Sequence, residues 1–260
     1  MNDIAPPNSA IVGCGPSGCF LLNLLRQSQT KAKLIAVDED QGSLDMSGAD
    51  LKILVKPGEK LVSDIGAFKV VFLVFDPSEG SAIESAKGAS ALASVQGSYV
   101  YAIAVNKPGN DLSEMDLSRS FGGVAIIDAA WVMKKRGDNE EEHALQIAFN
   151  FAAHTLAFLV QAIDSGELDI SAFKDATAGG VCSFAASHIS DAEAIYALTL
   201  SPIQKSSVMS GIVFIEAGAD DVLARRIFLG VLRGLPGGAR VDMLRVTGLE
   251  PFKVLAMLVH

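Results

Sequence analysis

Cysteine is scarce in this chain. Its three residues, Cys14, Cys19 and Cys182, are odd in number and lack the spacing of a metal site or a disulfide framework. That excludes a disulfide-stapled scaffold and points to a reducing, cytoplasmic setting. Positive charge is also in deficit: 21 Lys and Arg stand against 30 Asp and Glu, for a net charge of −9 and a pI near 4.9. Non-specific nucleic-acid binding needs cations to neutralise phosphates, so no nucleic-acid partner is expected. The basic cluster Lys134, Lys135 and Arg136 is followed by Glu140, Glu141 and Glu142. Opposite charges that close offset each other within a Debye length of roughly 10 Å. No uninterrupted apolar run reaches the roughly 20 residues that cross a bilayer. Residues 1–9 lack the basic and apolar regions of a signal peptide. Direct membrane insertion is therefore not expected. His143 and His154 lie eleven apart, near one face of an expected helix, without a third ligand, and His188 and His260 show no partners in the sequence, so no metal site is expected.

What the chain has in quantity is apolar sequence. Half of its 260 residues are hydrophobic and mean hydropathy is +0.35. Two origins fit: a sheet covered on both faces by helices, or a large protein–protein surface. Strand-like runs at Ala10–Gly13, Lys33–Val37, Leu51–Val55, Val70–Phe75, Tyr99–Val105 and Val124–Ile127 alternate with helical patterns at Cys19–Arg26 and Ser81–Ser94. That alternation predicts a Rossmann-like, parallel, doubly wound α/β sheet over 10–137, with ligands expected outside the carboxyl ends of the strands. The stretch Asn106–Asn110, with Pro108 and Gly109, reads as a turn. A long helix is expected over 138–164, acidic at its start and apolar on several faces, connecting two bodies. Residues 165–260 read as a smaller mixed-sheet α/β domain. It has helices near Asp191–Leu198 and Asp220–Leu232 and strands at Gly211–Ala217, Arg240–Val246 and Val254–Val259.

Gly13-Cys14-Gly15-Pro16-Ser17-Gly18 lies between the first strand and the first helix. Glycine lets the backbone turn tightly and approach a ligand, and a helix N-terminus offers free N–H groups to phosphate oxygens. A ligand-free tight turn has the same pattern. So does the turn of a small FAD- or NAD-dependent oxidoreductase, for which Asp38 would be the acidic group facing ribose. A second flavin motif and a redox domain, which that reading requires, are not legible. Cys14 reads as a small packing residue or, at a helix N-terminus, as a reactive thiol. Trp131 reads as a packing anchor.

The order of several segments resembles the FtsZ/tubulin superfamily over about residues 10–259. The glycine turn is similar to its phosphate loop, and Leu34–Asp40 to its second strand. Val71–Val74 resembles the strand before its glycine- and threonine-rich signature loop. Tyr101–Asn110 resembles the strand and Thr-Lys-Pro-Phe-Asn turn that follow. The long helix resembles the family's core helix, and Ser201-Pro202 with Gly211–Gly218 its C-terminal domain. The resemblance implies a GTP or GDP site with Mg2+. Its contacts would be Gly13, Cys14, Gly15, Ser17, Gly18, Asp40, Ser78, Gly80 and Ser81, with Asn150 reading the base. It implies head-to-tail self-association into filaments, scaffolding or membrane remodelling, and an adaptor protein at the membrane.

Two segments depart from the family pattern. The signature loop Gly-Gly-Gly-Thr-Gly-Thr-Gly is replaced by Asp76-Pro77-Ser78-Glu79-Gly80-Ser81. Its two carboxylates would repel a triphosphate unless a cation lies between. The family's Asn-x-Asp-x-x-Asp loop, whose acids polarise water on a neighbouring subunit's nucleotide, corresponds to Asp169, Ser171 and Lys174. Asp175 restores the second acid only with a shift of register. Serine cannot serve as a carboxylate base and lysine inverts the charge, so hydrolysis is expected to be absent or very slow. A nucleotide-free module that binds a partner remains an alternative.

Overall fold

The structure is a computed structural model and describes residues 8–56, 65, 68–110, 117–137, 140–188, 198–203, 205–233 and 235–260. Its first part alternates strand and helix: β1 (Ser9–Cys14), α1 (Gly15–Gln27), β2 (Lys33–Asp38), α2 (Gln41–Met46), β3 (Leu51–Leu54), β4 (Val70–Phe75), α3 (Gly80–Val95), β5 (Tyr99–Asn106) and β6 (Gly123–Asp128). These six strands pair in parallel in the order β6-β5-β4-β1-β2-β3. Their unbroken apolar runs follow from coverage of both faces. Every residue of Val-Val-Phe-Leu-Val-Phe in β4 has no accessible surface, so no alternation with polar residues is needed. Alternate side chains feed two cores, one under α1 and a long central helix, the other under α3.

The chain continues through α4 (Ala129–Arg136) into that central helix, α5 (Glu141–Ser165). Glu141 and Glu142 in its first turn suit the positive end of the helix dipole. Gly166, at φ 78°, closes it in the left-handed conformation that glycine adopts without strain. Phe149, Phe151, Leu156, Phe158, Leu159 and Ile163 are all buried. By length and composition α5 could cross a membrane, but 67% of its most apolar window is buried within the protein, as befits a core helix.

After α5 come α6 (Ile170–Thr177), β7 (Val181–Ser187), β8 (Leu198–Thr199), β9 (Ser210–Glu216), α7 (Asp221–Leu232), β10 (Arg240–Val246) and β11 (Val254–Val259). Pairing here is mixed: β11 is antiparallel to both β7 and β9, while β10 is parallel to β9. The strand path is continuous through both halves, yet β6 and β7 share only the pairs Val124 with Val181 and Ala125 with Cys182. The sequence left α4 unread; its last turn carries Lys134 and Lys135 over the Trp131 ring. The helix expected near Asp191–Leu198 lies outside the described residues over 191–197, and Leu198 opens β8.

Candidate functional site

Adjacent parallel strands bring their exit loops together. Because β4 lies between β1 and β5, the glycine turn, residues 76–79 and the Asn106–Asn110 turn meet at one end of the sheet. The first of these is shaped by packing. A Cβ on Gly13 would lie 2.5 Å from the Gly18 carbonyl oxygen, and one on Gly18 would lie 2.7 Å from that of Val74. The two glycines thus let α1 sit directly on β1 and β4. Gly15 needs its freedom twice over: its φ is +73°, and a Cβ would meet Ala82 at 2.6 Å and Glu79 at 2.8 Å.

Glu79 is the centre of the site. Its Oε1 accepts a hydrogen bond from the Ser17 hydroxyl at 2.7 Å, and its Oε2 accepts one from the Ser17 backbone N–H at 3.4 Å. Lys107 Nζ lies 2.9 Å from Glu79 Oε1 and 2.7 Å from Asp76 Oδ2. Asp76 has no exposed side-chain surface, whereas Lys107 is 36% exposed. Asp76 also accepts from the Ser78 N–H at 2.8 Å and the Ser78 hydroxyl at 2.7 Å. Burial pushes the Lys107 ammonium pKa down, but the hydrogen bonds and charges of Asp76 and Glu79 outweigh it and hold it above the ordinary value. The turn that presents Lys107 is fixed by the Asn106 amide donating to the Asn110 backbone carbonyl, by the Asn110 amide donating to Asn106 Oδ1, and by Gly109 at φ +83°.

The two carboxylates of the departed signature loop therefore do have a cation between them, and it belongs to the chain. As they stand, these residues do not fit a triphosphate. The donors of Ser17, Ser78 and Lys107 already face carboxylate oxygens, and Glu79 places negative charge at the start of α1, where phosphate would bring its own. Gly80 and Ser81 form the first residues of α3 beside this cluster. Cys14 is buried; desolvation, with Cys19 and Asp38 adding to it, raises its thiol far above the ordinary value, so it is a packing residue. Asp40 is spent on capping α2, accepting from the N–H groups of Gly42 and Ser43, and those bonds hold its carboxyl below the usual range. Buried Asp38 accepts from the N–H groups of Glu39 and Asp40 and faces the Cys19 thiol. Asn150 is exposed on α5, accepting from Gln146. Its neighbour Phe149 packs edge-on against Phe20 of α1, centroids 5.4 Å apart. A 180 Å³ cleft beside α1 is lined by Pro16, Cys19, Phe20, Asn23, Ser43 and Met46, and Asn150 is not among them.

The other predicted segment lies across the molecule, where α6 links the end of α5 to the start of β7. Asp169 caps α6 by accepting from the Ala172 N–H at 3.0 Å. Phe173, Ala176 and Thr177, spaced as one helical face, are buried. Phe173 packs among Phe72, Tyr99 and Tyr101 with centroids 5.1–6.2 Å apart. Tyr99 and Thr177 share a 2.8 Å hydrogen bond, and the Ser210 hydroxyl donates to the Ala176 carbonyl. The helix is thus clamped onto both halves of the fold. Ser171, Lys174 and Asp175 point away from these anchors and are exposed. Lysine at 174 also suits the negative end of the helix.

The sequence pointed to the glycine turn and to residues 76–81, but not to the cation between the carboxylates. Lys107 read only as part of a turn. The available signal was strand order: once β4 and β5 are neighbours, the ends of their exit loops must meet.

No protein-family model matches the chain, and no curated protein sequence matches it. Solved structures do. An empty FtsZ dimer from M. jannaschii superposes with a TM-score of 0.79 at 16% identity, covering 99% of this chain and 89% of that one. TubZ of Clostridium botulinum phage c-st gives 0.64 at 12%, covering 98% and 93%. TubZ of Bacillus thuringiensis serovar israelensis, in GDP-form protofilaments, gives 0.65 at 11%, covering 98% and 87%. At these identities the likeness speaks for architecture, and this chain has the FtsZ/tubulin-like fold.

Proposed function

We propose that this protein associates head to tail with copies of itself into filaments that do not depend on nucleotide hydrolysis. The observation that carries the reading is the two-sided character of α6. One face is locked into the core by Phe173, while the other holds Ser171, Lys174 and Asp175 rigidly in solvent. A helix clamped in this way presents a preorganised contact surface, which lowers the entropy cost of association. A contact in which each copy offers one end of its sheet to the opposite end of the next is heterologous and builds an open filament. The solved relatives support the reading: one is a dimer of FtsZ and another consists of protofilaments of TubZ.

Hydrolysis has little support in the side chains that α6 offers, where Asp175 is the one exposed acid and lies one position out of register. Ser171 and Lys174 stand where acids would polarise water, and Asp169 is committed to its cap. In this reading the chain divides into 10–137, the helix 138–164 and 165–260. The filament is a cytoplasmic scaffold joined to membrane by an adaptor protein. Guanine nucleotide, with or without Mg2+, is not its fuel, and could serve as a structural ligand only after the carboxylate that fills the glycine turn gives way.

Sedimentation and negative-stain microscopy with and without GTP, run beside a phosphate-release assay, test the proposal. Filaments without steady phosphate release are expected. Steady turnover at assembling concentrations would overturn the hydrolytic part. A monodisperse monomer would overturn the filament and leave a partner-binding module; a yellow protein releasing flavin on denaturation would leave an oxidoreductase.

A further inference from the structure

We infer that Glu79 is a built-in occupant of the phosphate cradle, a carboxylate of the chain itself that must be displaced before any nucleoside triphosphate can enter. This rests on the reading of the fold given above and deepens it by naming what regulates that site.

Three observations carry the inference. The Ser17 hydroxyl and N–H, at the first turn of α1, both point at Glu79 oxygens. An anion is what a helix N-terminus recruits, and here the anion is internal. Secondly, the Lys107 ammonium, the one that meets these carboxylates among the described residues, is divided between Glu79 and Asp76 at 2.9 and 2.7 Å. Phosphate could reach Lys107 only by taking it from Glu79, because releasing fully buried Asp76 would leave a desolvated charge without a partner. Thirdly, the turn is close-packed where Glu79 enters it: at Gly15, whose φ is +73°, a Cβ would meet Ala82 at 2.6 Å and Glu79 Oε2 at 2.8 Å.

Charge gives the direction. Asp76, Glu79 and Lys107 sum to −1, from two carboxylates and one ammonium. Removing the Glu79 carboxylate brings the cluster to zero, and frees Ser17 and part of Lys107 to face phosphate oxygens. Asp76 keeps its cation, so the fold survives the change.

The test uses the full chain with Mg2+-GTP as the probe, read by calorimetry, with circular dichroism and melting checking the fold. Glu79→Ala is expected to bind at least about tenfold more tightly than the wild type, and Glu79→Gln, which keeps bulk but loses charge, to fall between them. Adding Ser17→Ala to Glu79→Ala should abolish the gain. The inference is overturned if folded Glu79→Ala binds no better than the wild type, if the wild type already binds at micromolar concentration, or if the gain survives Ser17→Ala. Nucleotide-free sedimentation of the wild type reports on the filament separately, so the two ideas fail independently.

Discussion

The two ends of the sheet treat their polar side chains in opposite ways. At the carboxyl ends of β1, β4 and β5, Ser17, Asp76, Ser78, Glu79 and Lys107 satisfy one another. At the far end, α6 turns its apolar residues inward and leaves Ser171, Lys174 and Asp175 to solvent. The first region resembles a ligand site with the ligand's charges supplied from within. The second resembles half of an interface. A fold fixes where loops and helices meet at each end of a sheet, while the chemistry placed there is free to change.

The sharpest way to break the comparison is to loosen the anchor of the open end. Phe173 has no accessible surface and touches three aromatic rings. Phe173→Ala should cost about 3–5 kcal/mol in urea denaturation, the range for truncating a buried phenylalanine. Assembly should fail with it, because the outer face of α6 is no longer held. If stability falls and filaments persist, α6 is not the contact.

Next in size is the closed end. Lys107→Ala leaves Asp76 buried without its cation. Breaking a fully buried pair costs roughly 3–5 kcal/mol, but Lys107 is 36% exposed and water discounts the loss, so about 2–3 kcal/mol is expected by denaturant titration. Asp76→Asn in the same background should return part of it. No recovery would mean that Lys107 acts through packing and not through charge.

How much of this was legible in the sequence depends on range. The strands were, since runs such as Val70–Phe75 are short, apolar and β-branched, and β4 occupies those residues. So was α5, from its period and its acidic start. The glycine turn was placed correctly, but its reason was only half visible. Gly13 and Gly18 serve helix–strand contact, which depends on Val74 far along the chain. The pairing of Lys107 with Glu79 spans 28 residues and exists only because β4 and β5 are neighbours, a fact of topology and not of local pattern. Asp40 and Asp169 show the converse: residues read for a ligand or a loop role also serve as N-caps, a use their places before α2 and α6 would have allowed.

A smaller effect on stability distinguishes the surfaces more cleanly. Lys174 is exposed, so Lys174→Glu should change the unfolding free energy by no more than about 1 kcal/mol, the range of a surface charge at a helix terminus. If α6 docks against another copy, the reversed charge should still shift the critical concentration for sedimentation severalfold. Glu79→Gln is the matching control at the closed end. Equal effects of both on assembly would erase the contrast between an occupied cradle and an open contact.

The least effect, and the most specific to the cradle, is on alkaline stability. The Lys107 pKa is raised in the fold relative to its ordinary 10.5. A group raised in this way contributes stability that is fully present below the unfolded value and lost as pH climbs through the folded one. Lys107→Met removes that contribution at every pH, so the gap in urea midpoint between wild type and variant should be constant up to about pH 10.5 and narrow above it. Tyr99 and Tyr101, whose hydroxyls burial also pushes upward, add their own alkaline dependence, but they are common to both proteins and cancel in the difference. A gap that stays level through pH 11.5 would mean that the ammonium charge is not what holds Asp76 and Glu79 together. The closed end would then owe its closure to shape alone.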